Sequence, residues 1–339
     1  MKAARSRVVV ILIAIGCLFA FSSATVCLFR AITGAREQVS IEAAAPQGGH
    51  FVDAAGIKVF VQEEGSATGT AVVLIHGTGS WSEIWRPVMD ALSQNGYRAI
   101  AIDLPPFSYS QKLFGPDAYA TDAQAARIIG VLDALQIHRA ILVGHSVGAR
   151  PTLAAALEHP DRVSKLVLVD PALSFQSDPS SPGQFQQNDP SFLMTVAFKV
   201  RAVCNALVAT TVTNTLFTKR FFSSFVYQRS AVTPERVAML QAPFTVRGFT
   251  SAYGDWFQNL LVNRENSPIA DFSSFHKLTV PVTLLWGAMD TVTPLWQGRE
   301  LQALFSSSTL VVIPNAGHIP YIEQTDVFDA DLFAVIRTS

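Results

Sequence analysis

Short apolar runs that end in turn residues recur from residue 72 to the end of the chain, and this is the pattern of buried β-strands. The runs cover 72–75, 99–102, 141–143, 163–169, 282–286 and 310–313. Because they are nearly continuous rather than alternating, each strand is expected to be covered on both faces, as in a parallel sheet. Ile57–Gln62 alternates apolar and polar residues instead, which predicts a strand at the edge of the sheet.

Helical spacing of apolar residues fills several stretches between these runs. It covers Ser82–Asn95, Asp122–Leu135 and, after the last run, Asp326–Ile336. Strands that alternate with helices predict an α/β protein with a mostly parallel, doubly wound sheet. From about residue 173 to 277 the strand pattern stops, and polar turns at Ser177–Asn188 precede long helical segments. This part is predicted to be an insertion into the sheet domain.

The apolar run 141–143 leads directly into Gly144-His145-Ser146-Val147-Gly148 and then into a helix of small residues. The central serine of such a Gly-x-Ser-x-Gly turn has a strained backbone conformation, and the flanking glycines let strand and helix approach closely. Ser146 is therefore a candidate nucleophile. The alternative is that Ser146 is an ordinary N-cap of the helix.

Two further strand ends carry the residues that a serine nucleophile needs. Asp290 follows the run 282–286, and His318 follows the run 310–313. His318 would accept the serine proton and return it to the leaving group, while Asp290 would orient the imidazole. Asp170 also follows a strand and is the alternative acid. The remaining histidines match no metal-ligand spacing, so the site is predicted to use neither a metal nor a cofactor.

The chain resembles the α/β-hydrolase superfamily from about residue 50 to its end. The resemblance rests on the serine turn and on the chain order Ser, Asp, His. Two upstream segments agree with it, namely Val72–Gly79 with its His-Gly pair and Ala99–Pro105 with its Asp-x-Pro ending. The chain departs from the family pattern after this ending, where Pro106 and Ser108 stand in place of two glycines.

The resemblance also implies the parts that further residues play. The backbone N–H groups of Thr78 and Val147 would form the oxyanion hole. Gly144 and Gly148 would be the elbow glycines. The insertion at about 173–277 would be a helical cap over the active site.

A serine nucleophile excludes the dehalogenase and epoxide hydrolase branches that the superfamily resemblance would otherwise allow, because those enzymes use aspartate at this turn. The sequence predicts a serine hydrolase that acts on a carboxylic ester with an apolar acyl or alcohol part, through an acyl-enzyme on Ser146. Carbon–carbon bond hydrolysis, perhydrolysis and acyl transfer on the same three residues are the enzymatic alternatives. A hydrolase-fold protein that only binds its ligand is the alternative outside enzymes.

The first thirty residues form a separate hydrophobic segment. Val8–Phe29 contains no charged residue and follows Lys2, Arg5 and Arg7. This length predicts a transmembrane helix that anchors the protein in a membrane. A linker (31–49) would follow this helix, and the hydrolase domain (50–339) would follow the linker. The preceding cations place the N-terminus in the cytoplasm and the catalytic domain outside. A signal peptide that is cleaved to release a secreted enzyme is the alternative.

Charge and apolar surface limit the partners. The formal net charge is −1 and no basic stripe is present, which argues against nucleic acid. The expected partners are a small apolar ester or lipid-like substrate and, through the N-terminal helix, a membrane; the oligomeric state is left open. The apolar stretch 192–227 has two interpretations, a cap packed on the catalytic domain or a surface that places Phe221 and Phe222 in the bilayer interface.

Overall fold

A computed structural model describes residues 24, 26–173, 175–178, 181–187, 196, 198–262 and 267–337. Among these residues, eight strands form one central mixed sheet and two more form a separate hairpin. The strands are β1 (Gly49–Ala54), β2 (Ile57–Glu64), β3 (Ala71–Ile75), β4 (Arg98–Ile102), β5 (Ala140–His145), β6 (Val163–Val169), β7 (Phe175–Asp178), β8 (Ser181–Gln187), β9 (Val282–Gly287) and β10 (Ser308–Ile313).

The order of strands in the central sheet is β1-β2-β4-β3-β5-β6-β9-β10. Along this order the neighbouring strands β4, β3, β5, β6, β9 and β10 are parallel to one another. At one side of the sheet, β1 pairs antiparallel with β2, and β2 pairs antiparallel with β4. The prediction of an edge strand at Ile57–Gln62 is wrong, because β1 pairs along the outer side of β2. Parallel order brings the carboxyl ends of β3, β5, β6, β9 and β10 to one edge, where the candidate side chains follow their strands.

Helices cover both faces of the sheet. They are α1 (26–36), α2 (Ile41–Ala44), α3 (Arg86–Gln94), α4 (Thr121–Ala134), α5 (Ala149–Glu158), α6 (Arg201–Thr210), α7 (Thr218–Ser223), α8 (Pro234–Gln241), α9 (Phe249–Val262), α10 (Leu295–Leu304), α11 (Pro320–Glu323) and α12 (Thr325–Arg337). On one face α4, α5 and α10 bury Ile128, Leu153 and Leu301 against the strands. On the other face α3 and α12 bury Met89 and Phe328. This two-sided burial is why β3, β4, β5, β6 and β9 consist of nearly continuous apolar residues. The expectation of cover on both faces is wrong for β10, which lies at the edge of the sheet with Val312 41% exposed.

The insertion between β6 and β9 contains α6 to α9, preceded by the β7–β8 hairpin. The hairpin was not predicted, because its sequence consists mainly of Ser, Gln, Pro and Gly rather than β-branched residues. The inserted helices contribute to an aromatic cluster that joins them to the sheet domain. Its largest members are Phe60, Trp81, Phe107, Tyr109, Tyr119, Phe244, Phe249, Tyr253 and Trp256.

The last residue of α1 and the residue after it contact the insertion between β6 and β9. Arg36 donates from Nε to the carbonyl of Phe244 at 2.9 Å and from Nη1 to the carbonyl of Thr213 at 2.8 Å. The Glu37 carboxylate accepts the backbone N–H of Thr250 at 3.1 Å. The stretch that the sequence indicates as a linker therefore has fixed polar contacts over part of its length.

The predicted transmembrane helix is wrong: in the part of the chain that the structure describes, no helix is both long enough and apolar enough to cross a membrane. The predictions of a single-pass membrane localisation and of a membrane partner depended on this helix and are wrong as well. Residues 8–23 and 25 of the predicted span Val8–Phe29 lie outside the described residues. The prediction rested on the length of one uncharged run in the sequence alone.

Candidate active site

Ser146 lies in the sharp turn between β5 and α5. Its φ is +53°, a left-handed conformation that is strained for a residue with a side chain. A Cβ at Gly144 would lie 2.5 Å from the Thr152 hydroxyl, and one at Gly148 would overlap the carbonyl oxygen of His76. Only glycine therefore fits at both flanking positions, and this close approach of strand and helix fixes where the Ser146 hydroxyl points.

The structure brings Ser146, His318 and Asp290 together in one hydrogen-bonded triad. His318 Nε2 lies 2.8 Å from Ser146 Oγ, and His318 Nδ1 lies 2.7 Å from Asp290 Oδ2. The His318 side chain is 1% exposed, and that of Asp290 is fully buried. These three residues come from the ends of β5, β9 and β10, as their positions in the sequence indicate.

The turn after β9 holds Asp290 as an anion. Its Oδ1 accepts the backbone N–H groups of Val292 at 2.7 Å and Thr293 at 3.0 Å, and its Oδ2 accepts the Thr293 hydroxyl at 2.6 Å. Burial by itself would raise the pKa of Asp290. The hydrogen bond from His318 and the charge of its protonated form, together with hydrogen bonds from the Thr293 hydroxyl and the Val292 N–H, outweigh burial and place this pKa below its usual value.

An ionised Asp290 decides the tautomer of His318. The carboxylate accepts only, so His318 carries its proton on Nδ1 and turns the Nε2 lone pair towards the Ser146 hydroxyl. This is the arrangement in which an imidazole can accept the serine proton.

Asp170, the alternative acid, lies beside this triad rather than in it. It is fully buried at the end of β6, with φ at +41°. Its Oδ1 accepts the backbone N–H of Gly287 at 2.9 Å, and no described donor contacts its Oδ2. The direct contact of His318 is with Asp290, which separates the two candidate acids by geometry.

A second histidine, His145, holds the backbone of His318. Burial lowers the pKa of His145 to about 3, so its imidazole is neutral. Its Nε2 lies 2.8 Å from the carbonyl oxygen of His318, and its Nδ1 lies 3.2 Å from the Tyr321 hydroxyl. A neutral ring satisfies both contacts when Nε2 donates to the carbonyl and Nδ1 accepts from Tyr321. Sequence reasoning placed His145 at the elbow without finding this support, because Tyr321 is far away along the chain.

Thr78 and Val147, the expected oxyanion residues, both lie at the nucleophile. Thr78 follows β3 and lines the same pocket as Ser146, and Val147 is the next residue after Ser146 in the turn. The structure therefore places both residues where their backbone groups can approach a substrate oxygen, and their role remains a prediction.

The pocket above Ser146 has an apolar, largely aromatic wall. Its apolar members include Trp81, Ile84, Phe107, Phe221, Phe222, Phe225, Leu240, Phe244, Phe249, Tyr253 and Ile319. Among the described residues, this wall carries no Lys, Arg, Asp or Glu side chain. Phe221 and Phe222, for which a bilayer contact was one interpretation, line this pocket. Such a wall suits an uncharged acyl group.

A second cavity of about 600 Å³ lies on the other side of Phe107. Val147 and His76 line it together with charged side chains of both signs, namely Arg150, Lys199, Asp117 and Asp122. It contains neither Ser146 nor His318, and it is the more polar of the two spaces. The ring of Phe107 separates them, packed edge-on against Tyr253 and Trp256.

The donor set fits proton transfer better than metal binding. Asp170, Asp290 and His318 bring their ligand atoms within 4.8 Å of one another. Both ring nitrogens of His318 already lie in hydrogen bonds, which leaves two carboxylates for an ion. A protein metal site ordinarily supplies three or four ligands.

Comparison with known proteins gives matches over most of the chain. A model of the alpha/beta hydrolase fold matches residues 70–325. The 2-hydroxy-6-oxo-2,4-heptadienoate hydrolase of Pseudomonas putida is 29% identical over 286 residues, which are 83% of this chain and 93% of that protein. The uncharacterized hydrolase YugF of Bacillus subtilis is 26% identical over 306 residues, 88% of this chain and 100% of that protein.

A solved structure of a meta-cleavage product hydrolase from Pseudomonas fluorescens superimposes with a TM-score of 0.65 at 25% identity. The match covers 84% of this chain and 96% of that one.

Proposed function

This chain belongs to the alpha/beta hydrolase family, and from this premise we propose that it is a serine hydrolase that forms an acyl-enzyme on Ser146. The observation that carries the proposal is the Ser146–His318–Asp290 triad, with heavy-atom distances of 2.8 and 2.7 Å, at the base of an apolar pocket. A serine hydroxyl alone is a weak nucleophile. A neutral histidine whose lone pair points towards the hydroxyl can accept its proton and so activates the oxygen.

The reaction follows from the positions of these groups. As Ser146 Oγ adds to a substrate carbonyl carbon, His318 Nε2 takes the hydroxyl proton and Asp290 stabilises the imidazolium. The carbonyl oxygen becomes an oxyanion beside Thr78 and Val147. His318 then gives the proton to the leaving group, and a water molecule hydrolyses the acyl-enzyme by the same steps in reverse.

Carbon–carbon bond hydrolysis is the bond type that the relatives support, and they support it better than the ester chemistry predicted from the sequence. The hydrolases from both Pseudomonas species carry names of this kind, for a heptadienoate and for a meta-cleavage product. We therefore propose a substrate in which the carbonyl attacked by Ser146 is joined to a carbon that leaves as a stabilised carbanion or enol and takes its proton from His318.

Hydrolysis of a neutral ester is the second candidate, and the pocket wall favours it. A dienoate carries a carboxylate, whereas the described wall around Ser146 has no cationic side chain. Burying an anion there without a partner would be unfavourable. Arg150 and Lys199 line the adjoining cavity beyond Phe107, so a dienoate would have to extend past this ring to reach a cation.

A fluorophosphonate probe tests the nucleophile without knowledge of the substrate. Wild-type protein is expected to be labelled on the peptide that contains Ser146, and Ser146→Ala is expected to lose labelling and at least about 10⁴-fold of any hydrolysis. Ser66→Ala, in an exposed loop, is the matched control and should label like the wild type. A folded wild-type protein that is not labelled would instead indicate a binding protein.

The bond type is then decided by paired substrates. A 2-hydroxy-6-oxo-dienoate and p-nitrophenyl esters of graded chain length are assayed with the same enzyme. A kcat/KM for the dienoate that exceeds the best ester value supports carbon–carbon hydrolysis. Ester turnover with no dienoate cleavage supports the second candidate.

A further inference from the structure

Two buried carboxyl groups lie side by side at the triad, and the proposed mechanism uses only one of them. Asp170 at the end of β6 and Asp290 after β9 place their carboxylate atoms within 4.8 Å of each other. Both residues lie in the closely packed interior, and Asp170 is completely inaccessible to solvent. Two negative charges at this separation repel each other strongly, so one of the carboxyl groups is expected to hold a proton.

The hydrogen-bond donors identify which group is ionised. Asp290 accepts two backbone N–H groups, the Thr293 hydroxyl and the His318 imidazole. Asp170 accepts one backbone N–H, that of Gly287, and its Oδ2 has no described donor. An oxygen without a donor, in a carboxyl group that lies beside another carboxylate, is the expected position of a carboxylic acid O–H.

The other charged and titratable groups near Asp170 add no positive partner for it. Glu323 on α11 contributes a further like charge, and Tyr321 on the same helix faces Asp170 as a neutral phenol. His318 is already paired with Asp290. Burial first, and then the charge of Asp290, raise the pKa of Asp170 well above its usual range.

We propose that Asp170 is a neutral carboxylic acid in the working enzyme and donates its Oδ2 proton to Asp290. Asp170 is then a positioning residue: it holds the Asp290 carboxylate in register with His318 and moderates the charge that this carboxylate presents to the imidazole. The inference deepens the proposed serine mechanism and rests on it for the activity measurements below.

The chain offers a matched pair of variants for this idea. In Asp170→Asn the amide oxygen can accept the Gly287 N–H while the amide nitrogen donates to Asp290, so both hydrogen bonds of the neutral acid are reproduced. In Asp170→Ala both bonds are lost. The Asp290 carboxylate then lacks the hydrogen bond from Asp170, so its full negative charge acts on His318 and favours the protonated form of that ring.

The acidic limb of the pH profile of kcat/KM reports these changes, because it follows protonation of the free enzyme's base. Asp170→Asn is expected to keep the wild-type limb and at least half of the wild-type rate. Asp170→Ala is expected to move the limb to higher pH. If Asp170 were ionised, Asp170→Asn would remove a negative charge beside His318 and move the limb to lower pH, which would overturn the proposal.

Infrared difference spectroscopy tests the proton without any activity. The spectrum of Ser146→Ala minus that of Ser146→Ala with Asp170→Asn, at pH 7, should contain the C=O stretch of a protonated carboxylic acid that shifts in D₂O. A carboxylate band in its place refutes the neutral acid. A metal that copurifies with wild type and is absent from Asp170→Asn refutes it as well. If the acid band is present while no substrate or probe reacts, the proposed function fails and the assignment of Asp170 stands.

Discussion

Replacing Asp290 by asparagine exchanges one oxygen for an NH₂ group, and the surrounding donors decide which way the new amide points. Oδ1 of Asp290 accepts two backbone N–H groups, from Val292 and Thr293. The asparagine oxygen will occupy this position, because the two backbone N–H groups can only donate, whereas the Thr293 hydroxyl and the His318 ring at the other oxygen can also accept. The amide nitrogen must then occupy the position of Oδ2 and point at His318 Nδ1.

A donor at this position reverses the tautomer of His318. The ring then accepts at Nδ1 and carries its proton on Nε2, which donates to the Ser146 hydroxyl instead of accepting from it. Loss of the correct tautomer costs about 10³ to 10⁴ in turnover in serine enzymes of this type. At about 1.4 kcal/mol for each factor of ten, the barrier should rise by about 4 to 5.5 kcal/mol. The fold should persist, since the backbone donors of the turn keep their acceptor.

The rate of fluorophosphonate labelling of Ser146 measures this loss before a substrate is known, and kcat measures it afterwards. Asp170→Asn is the matched control, a buried aspartate beside the same histidine whose oxygen also accepts a backbone N–H. Retention of more than a tenth of the wild-type rate by Asp290→Asn would refute the tautomer argument. Loss of activity in Asp170→Asn alone would make Asp170 the acid.

Three further predictions concern the elbow, the buried acid and the histidine loop. Gly148→Ala should lose most activity and about 1–3 kcal/mol of stability, because its Cβ overlaps a backbone carbonyl. The control Gly34→Ala, in α1 where a Cβ meets nothing within 4 Å, should keep full activity and lose no stability, since alanine forms helices better than glycine. Asp170 stays protonated in the folded protein and ionises in the unfolded chain, so the free energy of unfolding of the wild type should fall with pH relative to that of Asp170→Asn. The expected slope is about 1.4 kcal/mol per pH unit between the unfolded pKa of Asp170 and its raised folded pKa. Urea titrations between pH 5 and 7 that give both proteins the same dependence of unfolding free energy on pH would contradict this. The Glu323 carboxylate accepts four backbone N–H groups, two beside His318 and two in the adjoining loop of the insertion. Glu323→Ala should therefore lower the free energy of unfolding by about 2–3 kcal/mol and slow the labelling of Ser146. An unchanged melting curve would count against this prediction.

The sheet and the position of Ser146 at the elbow were predictable from sequence because their signals are local. A strand buried on both faces must be apolar throughout, and the elbow at Ser146 requires glycine at two fixed positions next to it. The ends of β9 and β10 locate Asp290 and His318 within a few residues. Parallel strands then bring these distant positions to one edge of the sheet, which is a property of the topology and not of the residues between them.

The contacts that were missed depend on residues far apart in the chain. Arg36 binds carbonyls of Thr213 and Phe244, about two hundred positions later, and nothing in the composition of 31–49 indicates these partners. The transmembrane prediction rested only on the absence of charge along Val8–Phe29, and it is contradicted because no helix among the described residues is long and apolar enough to cross a membrane.

The choice between the two acids shows where local signals end. Asp170 and Asp290 both follow a buried strand, and both approach the same histidine, so a strand-end rule alone selects neither. The turn after Asp290 decides, because three donors from Val292 and Thr293 stabilise a negative charge there, while Asp170 receives a single N–H. An acid left with one donor beside an anion retains its proton. The sequence cannot choose between Asp170 and Asp290 because both follow strands that end beside the same histidine. The same short distance between their carboxyl groups lets Asp170 donate a hydrogen bond to Asp290.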